Sequence, residues 1–239
     1  MTNSFQEQLI RGLVHKLNNI LSLLHGYGGM LMEDKHLDER TREIVGRMIE
    51  GADLGTALSE RLTLLMQPSS LVWREVDLPE MVGRLHSSLA FFWERGVHME
   101  VRLADALPQL WTDARLLQIV LEELVKNASQ ASEENGVVEI EASELSDKTQ
   151  RHQRGTRAEQ PTRFIEIRVI DHGEGIPAER ADKVYAPFFS TRAHPDGMGL
   201  GLPIVLRLAE SLGGRVYFTS QPGRTVFHLR LPVRPGTGG

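Results

Sequence analysis

Three short segments hold the residues of this 239-residue chain whose types and spacing could do chemistry together. The first, Asp171-His172-Gly173-Glu174-Gly175, closes the apolar run Ile165 to Ile170. A carboxylate at a strand end beside two glycines can accept hydrogen bonds from a flat heterocycle resting on bare backbone. The same five residues also read as a plain turn. The second, Gly197-Met198-Gly199-Leu200-Gly201-Leu202-Pro203, leads into Ile204, Val205, Leu208, Ala209 and Leu212 at helical spacing, and Pro203 suits a first turn. Glycines that let amides converge at a helix N-terminus form an anion cradle suited to phosphates, with a flexible loop as the alternative. The third is Glu122-Glu123-Leu124-Val125-Lys126-Asn127-Ala128. On a helix Glu123 and Asn127 lie one turn apart on the same side, while Leu124, Val125 and Ala128 turn inward. An amide and a carboxylate stacked in this way can hold a hydrated magnesium ion and orient a nucleophile, and Lys126 can reach a phosphate. An ordinary amphipathic helix with a polar face carries the same pattern.

A further candidate stands far from these. His15, in Val14-His15-Lys16-Leu17-Asn18-Asn19-Ile20, lies roughly opposite Leu13 and Leu17 around a helix and so points to solvent, with Asn19 one turn below on the same face. An exposed histidine on a helix is most often without a role. A neutral imidazole is nonetheless a nucleophile near pH 7, and the phosphoramidate it forms is easily discharged.

The elements that must position these groups follow from periodicity. Ile10, Leu13, Leu17, Ile20, Leu24, Tyr27 and Leu31 alternate at three and four residues, which specifies a helix with a coiled-coil seam, and Leu9, Val14 and Leu21 widen the stripe. After the polar break Asp34 to Asp38, Ile44, Met48, Gly51, Gly55, Leu58, Leu62 and Leu65 continue in register, giving an antiparallel helical hairpin. Some sixty residues of hairpin bury too little alone, so a dimeric four-helix bundle is expected. Gly46, Gly51 and Gly55 each cost the second helix about 1 kcal/mol relative to alanine. They mark a close approach, a bend or simply a weak helix.

Pro68-Ser69-Ser70 ends the hairpin. Beyond it the pattern predicts a helix from Leu78 to about Trp93, a strand over Val97 to Leu103 and a long helix from Asp113 to Ser132. Strands follow at Val137 to Ala142 and Phe164 to Ile170, then a last hairpin, Arg215 to Ser220 and Thr225 to Leu231, turning at Gln221-Pro222-Gly223. Ser143 to Thr162 is poor in apolar side chains and reads as a solvated loop, with a docking role as the other reading. The second half is therefore an α/β sandwich, with helices on one face of a mixed sheet.

Taken in order, the Glu-x-x-x-Asn-Ala helix, Asp-x-Gly-x-Gly, Tyr185-Ala186-Pro187-Phe188-Phe189-Ser190-Thr191, Gly-x-Gly-x-Gly-Leu and the terminal hairpin resemble the ATP-binding domain of sensor histidine kinases. They also resemble the related gyrase, Hsp90 and MutL ATPases, the GHKL or Bergerat-type fold. The resemblance covers roughly Leu110 to Pro232. It implies that Asp171 reads the adenine amino group, that Gly173 and Gly175 shape that turn, and that Asn127 binds magnesium. It further implies that Gly197, Gly199, Leu200 and Gly201 close over the phosphates of ATP and that Phe188-Phe189 belongs to a lid. Thr225 matches the threonine before the last strand, although Arg224 stands where a glycine is usual.

The N-terminal hairpin resembles the dimerisation and phosphotransfer domain of the same kinases. By that resemblance His15 receives the γ-phosphoryl group and passes it to an aspartate of a response-regulator receiver domain, and Asn19 orients water for dephosphorylating that partner. Lys16 departs from the pattern. Relatives carry Asp or Glu there, whose carboxylate can draw the imidazole proton, whereas a lysine brings the opposite charge. The expected architecture is α+β, with residues 1–68 as the dimerisation and phosphotransfer hairpin and 69–235 as the ATP-binding domain.

Two other readings stay open. Glu123 occupies a place where many histidine kinases have asparagine, while the ATPase relatives and the mitochondrial dehydrogenase kinases have glutamate as a candidate base. An ATPase or a serine-directed kinase is therefore one alternative. A dimeric scaffold or phosphatase that docks a receiver domain is the other, as Lys16 allows.

Composition bounds the rest. With 41% hydrophobic residues, 25% charged and a net charge of −5, the chain is long enough for one or two domains with an adequate core. The mildly acidic balance carries no basic stripe for nucleic acid or a membrane surface. The absence of cysteine excludes disulfides and thiolate chemistry. No apolar run approaches the ~18 residues of a spanning helix, so a cytoplasmic chain without a membrane segment is expected.

Overall fold

The computed structural model describes residues 2–66, 70–89, 96–146, 163–191 and 198–233, apart from the side chains of 2–10, 86–88 and 146. The chain divides into two compact units, one built on a helical hairpin and one on a mixed sheet.

The hairpin consists of α1, Thr2–Met32, and α2, Glu39–Leu65. Asp38 starts α2 by accepting the amide of Thr41, and the Arg42 guanidinium donates to the carbonyls of Met32 and Asp34, both at 3.0 Å. That cation therefore satisfies carbonyls at the end of α1 that have no partner within the helix. Leu21 meets Gly55, His25 meets Asp53 and Gly28 meets Ile49, a descending pairing that makes the two helices antiparallel.

The helices touch through small residues. Ala52 and Ser59 are buried on α2, and a Cβ on Gly55 would fall 2.8 Å from the Leu21 side chain. Gly55 is thus a site of close approach, while Gly46 and Gly51 face open space. The expected seam is not the surface that closes the hairpin. Leu13, Leu17, Ile20, Leu24, Tyr27 and Leu31 stay exposed, Leu13 at 59% and Tyr27 at 64%, whereas Leu21, read as a flank of the stripe, is buried. On α2 the buried Val45, Ala52 and Ser59 likewise replace the expected Ile44, Met48 and Gly51. The heptad positions beside the seam form the hairpin, and the seam itself is left over.

In the second unit, β2 (His98–Leu103), β4 (Val137–Ser146), β5 (Arg163–Asp171), β7 (Arg224–Pro232) and β6 (Arg215–Gln221) form a five-stranded sheet in the order β2-β4-β5-β7-β6. β2 and β4 are parallel and the other pairs antiparallel. Helices α3 (Leu78–Ser88), α4 (Ala114–Ala131) and α6 (Gly201–Ser211) pack on one face. Ile140 of β4, Ile165, Ile167 and Val169 of β5 and Phe227, Leu229 and Leu231 of β7 share one face of the sheet and are buried. The opposite face carries ion pairs, among them Arg168 with Glu141 at 2.6 Å and Arg230 with Glu166 at 2.6 Å.

Three elements have no counterpart in the sequence reading: β1 (Arg74–Val76), paired with β3 (Leu110–Thr112), and the single-turn α5 (Ala178–Ala181). Each is too short to express a period. β4 also runs to Ser146, so the first four residues of the expected loop are strand. Ser143 to Ser146 pair with Glu166 to Arg163, and Arg163 makes an ion pair with Glu144. Residues 147–162 lie outside the described residues, as does the expected helix end at Trp93. The last hairpin turns on Pro222-Gly223, with Gln221 already paired to Arg224 and Gly223 at φ +82°.

Asp113 joins several of these pieces. Buried to 2% exposure, it accepts the amides of Arg115 and Leu116 at the start of α4 with one oxygen and the amide of Val72 with the other. Amides donated to an ionised, buried carboxylate are among the stronger hydrogen bonds. Asp113→Ala should cost about 2–4 kcal/mol in urea denaturation, from the lost cap and the stranded Val72 amide.

Glu166 generates a pH dependence. It is buried and receives Arg230 Nε at 2.6 Å and the Tyr217 hydroxyl at 3.0 Å. Burial pushes its carboxyl pKa up, and the hydrogen bonds from Arg230 and Tyr217 more than reverse the push, leaving it below the ordinary value. A carboxyl that ionises more readily folded than unfolded adds stability at neutral pH that is lost as pH falls below about 4. Glu166→Gln should flatten the acid limb of melting temperature against pH, and an unchanged limb would remove Glu166 as its source.

Candidate functional site

One part of the site is a row of side chains at the end of the sheet, on its helix-covered side. Asp171 at the end of β5 lies opposite Thr225 on β7, and Thr225 lies opposite Ser220 on β6. Asp171 and Thr225 are each 2% exposed. Asp171 Oδ1 accepts the Gly173 amide at 3.0 Å, Ser220 Oγ accepts the Ile176 amide at 2.8 Å, and the Ser220 and Thr225 hydroxyls are 2.9 Å apart. The loop that follows Asp171 is pressed between two neighbours. A Cβ on Gly173 would sit 2.2 Å from the Ala131 carbonyl oxygen at the end of α4, and one on Gly175, at φ +84°, would sit 2.6 Å from the Gln221 carbonyl. Both glycines are therefore demanded by contact with backbone. Sequence reasoning missed Ser220, whose only signal was its register opposite Thr225.

The other part is built on α4. Leu117, Val120, Leu121, Leu124, Val125 and Ala128 are fully buried, which turns the half-buried Glu123, Lys126 and Asn127 toward the remaining side. There α4 meets the first residue of α6. A Cβ on Gly201 would lie 2.7 Å from Glu123 Oε2 and 3.2 Å from Asn127 Nδ2. A carboxylate, an amide and a bare helix N-terminus thus converge, and the first amides of a helix, which have no partner within it, favour an anion. Asn127 Nδ2 is buried with no hydrogen-bond partner among the described residues, an arrangement native cores rarely leave without a reason. Gly199 has φ +64° and Leu200 is fully buried. Gly197 lies outside the described residues.

Phe188 is unusual in the same unit. It is 65% exposed and takes φ +65° at the tip of a turn in which the Phe189 amide bonds the Ala186 carbonyl. Behind it the Tyr185 ring leans on Phe218, and burial pushes its phenol pKa up to about 12.

Within the α/β unit, Glu123, Asn127 and Gly201 are thus brought together, as are Asp171, Gly173, Gly175 and Thr225, while Lys126 shares α4 with the first group. His15 and Asn19 form a separate pair on the hairpin. Both are exposed, and Asn19 Nδ2 stands 3.4 Å from His15 Nδ1.

Residues 112–235, more than half of the chain, match the family described as histidine kinase-, DNA gyrase B-, and HSP90-like ATPase, and the chain belongs to it. The matched residues are an ATPase-type nucleotide domain, and the helical hairpin lies outside the match. Sensor histidine kinase ZraS of Escherichia coli (strain K12) is 30% identical over 94% of this chain and 45% of its own length. Sensory histidine kinase/phosphatase NtrB of Vibrio alginolyticus is 28% identical over 94% of this chain and 62% of its own. The chain spans about half the length of the curated relatives it matches. Solved structures that share the fold include full-length ShkA in complex with AMPPNP, at TM-score 0.76 and 23% identity, covering 94% of this chain and 45% of that one. Another is histidine kinase ThkA in complex with response regulator protein TrrA, at TM-score 0.64 and 20% identity, covering 99% and 64%. Among the described residues no helix is long and apolar enough to cross a membrane.

The glycine contacts separate two effects. Gly173→Ala drives a methyl into backbone and should lower stability by about 1–3 kcal/mol or more. Gly201→Ala meets only side-chain ends, so the melting temperature should hold within about 3 °C, while the displaced Glu123 and Asn127 should weaken ADP about tenfold in calorimetric titration.

Proposed function

We propose that the chain is the catalytic core of a two-component sensor histidine kinase, which phosphorylates His15 from ATP and exchanges that phosphoryl group with an aspartate of a response-regulator receiver domain. Residues 1–68 serve as the dimerisation and phosphotransfer hairpin and 69–235 as the ATP-binding domain. The observation that carries this reading is the convergence of Glu123 and Asn127 on the bare Gly201 terminus of α6, a corner shaped for phosphates. The exposed seam of α1 supports a homodimer, because six large apolar side chains in one stripe are seldom left to water. A reaction that draws on ATP suits the cytoplasm.

In this reading Asp171 accepts the adenine amino group, and Gly173 and Gly175 hold its loop in place. Thr225 stands beside it. Lys126 and the α6 terminus, with Gly197, Gly199, Leu200 and Gly201, hold the phosphates. Asn127 would hold magnesium through its side-chain oxygen Oδ1, the kind of hard oxygen donor this ion takes, and the ion would supply charge neutralisation on the phosphates. Catalysis is then positioning more than bond-making by the protein. A lone pair of the His15 imidazole forms the N–P bond, the bond from the γ-phosphorus to the bridging oxygen breaks, and ADP leaves with that electron pair. The remaining ring proton goes to water, since Lys16 cannot accept it. In the reverse direction of signalling, Asn19 orients the water that dephosphorylates the receiver.

A second reading rests on the Glu123 carboxylate at the same corner. As a base acting on water or a serine hydroxyl, it would make the domain an ATPase or a serine-directed kinase. Incubation with γ-labelled ATP separates the readings. Acid-labile, base-stable phosphate should appear on the chain and vanish in His15→Gln with ADP binding intact. Phosphate that persists in that variant removes His15 from the mechanism, and acid-stable phosphate or free phosphate that depends on Glu123 favours the second reading. A chain that binds no nucleotide is the receiver-docking scaffold.

A further inference from the structure

The hydroxyl row at the sheet end can run in either sense, since either oxygen of the Ser220–Thr225 contact is able to donate. Ser220 Oγ accepts the Ile176 amide at 2.8 Å, and in one sense of the row its own proton is donated to the neighbouring oxygen, Thr225 Oγ1 at 2.9 Å. A hydroxyl has one proton to give and two lone pairs to receive. Once Thr225 accepts from Ser220, its own proton is left to be donated on the Asp171 side, where the cross-strand register puts Thr225 directly opposite the carboxylate. Asp171 in turn is fixed by the Gly173 amide on Oδ1. In that sense of the row a carboxylate acceptor stands beside a hydroxyl that donates.

We propose that Ser220 is a positioning residue that sets base specificity in the nucleotide site by holding Thr225 as a donor next to Asp171. The proposal rests on the ATP-binding reading above. An acceptor and a donor in this order match the edge of adenine, whose amino group donates and whose adjacent ring nitrogen accepts. Guanine carries the opposite pattern, a carbonyl oxygen and a ring N–H. Asp171 would face the carbonyl, acceptor against acceptor, and the Thr225 proton would face another proton. Both protein groups are 2% exposed, so water cannot repair the mismatch. A site whose buried polar groups are left unpaired by the wrong ligand discriminates by orders of magnitude.

Ser220 has a second contact that strengthens the case. Through Ile176 it ties the Asp171 loop to β6, and Gly175 presses on Gln221 beside it. One side chain therefore fixes both the loop that carries the acceptor and the proton of the donor. Without it Thr225 can rotate and offer a lone pair to the base, which is what guanine needs.

The test is calorimetric titration of the full chain with ADP and with GDP, each with magnesium. The chain as it stands should prefer ADP by about a hundredfold or more. Ser220→Ala should shrink that preference at least tenfold, by weakening ADP and by admitting GDP, while Ser220→Thr, which keeps the hydroxyl, should retain it within about threefold. If Ser220→Ala unfolds because the Ile176 amide loses its acceptor, Ser220→Cys, similar in shape but a weak donor, carries the same expectation. An unchanged ratio of ADP to GDP affinity in the folded alanine or cysteine variant overturns the proposal and leaves the ATP site standing. A parent chain that binds no ADP overturns both.

Discussion

The α/β unit depends on how closely the loop after Asp171 passes the end of α4. With room for no Cβ between Gly173 and the Ala131 carbonyl, the loop can reach Asp171 only along one path. That contact ties the acceptor row on the sheet to the helix that bears Glu123 and Asn127. The same economy recurs at Gly201, where a missing side chain lets α6 begin against both polar groups, and at Gly175, which lets the loop lie on the β6–β7 turn. Each glycine removes atoms where two backbones or a backbone and a polar group must approach, and the site is the space those approaches define.

The sheet divides its work by face. Toward the helices it offers Ile140, Ile165, Ile167, Val169, Leu229 and Leu231, and the burial of these side chains provides the main drive for the domain. Toward the other side it offers Arg102, Glu139, Glu141, Arg168, Glu166 and Arg230 in ion pairs. The more exposed of these pairs, such as Arg102 with Glu139, add little stability, but together they mark which side of each strand faces away from the helices. A one-residue slip would exchange the two faces, so the register that sets Asp171, Thr225 and Ser220 in a row is held by the whole core.

The hairpin shows a comparable division around a helix. Leu21, Gly28 and their neighbours close α1 on α2, and the residues with the strongest heptad signal remain outside. Small residues on α2 make the intramolecular contact tight enough that the larger stripe is not needed for it. His15 sits on neither surface, which leaves its imidazole exposed.

The amino-acid sequence alone determined the order of the longer elements, the amphipathic faces of α4 and α6, and the candidate residues on the helices. Period, capping residues and glycine spacing are local properties that a single chain expresses directly. It also marked Asp171, Asn127 and the glycines of the second loop as a group, since their order along the chain is itself a signal. Short β1, β3 and α5, the extension of β4 to Ser146 and the choice of hairpin surface were not legible, because each is decided by a partner distant in sequence: Leu110 for Val76, Phe164 for Leu145, Gly55 for Leu21. Ser220 belongs with these. Nothing near it in the chain distinguishes its hydroxyl from any other, and only the pairing of three strands carries it to Thr225 and through Thr225 to Asp171, because a hydrogen bond is a matter of distance in space.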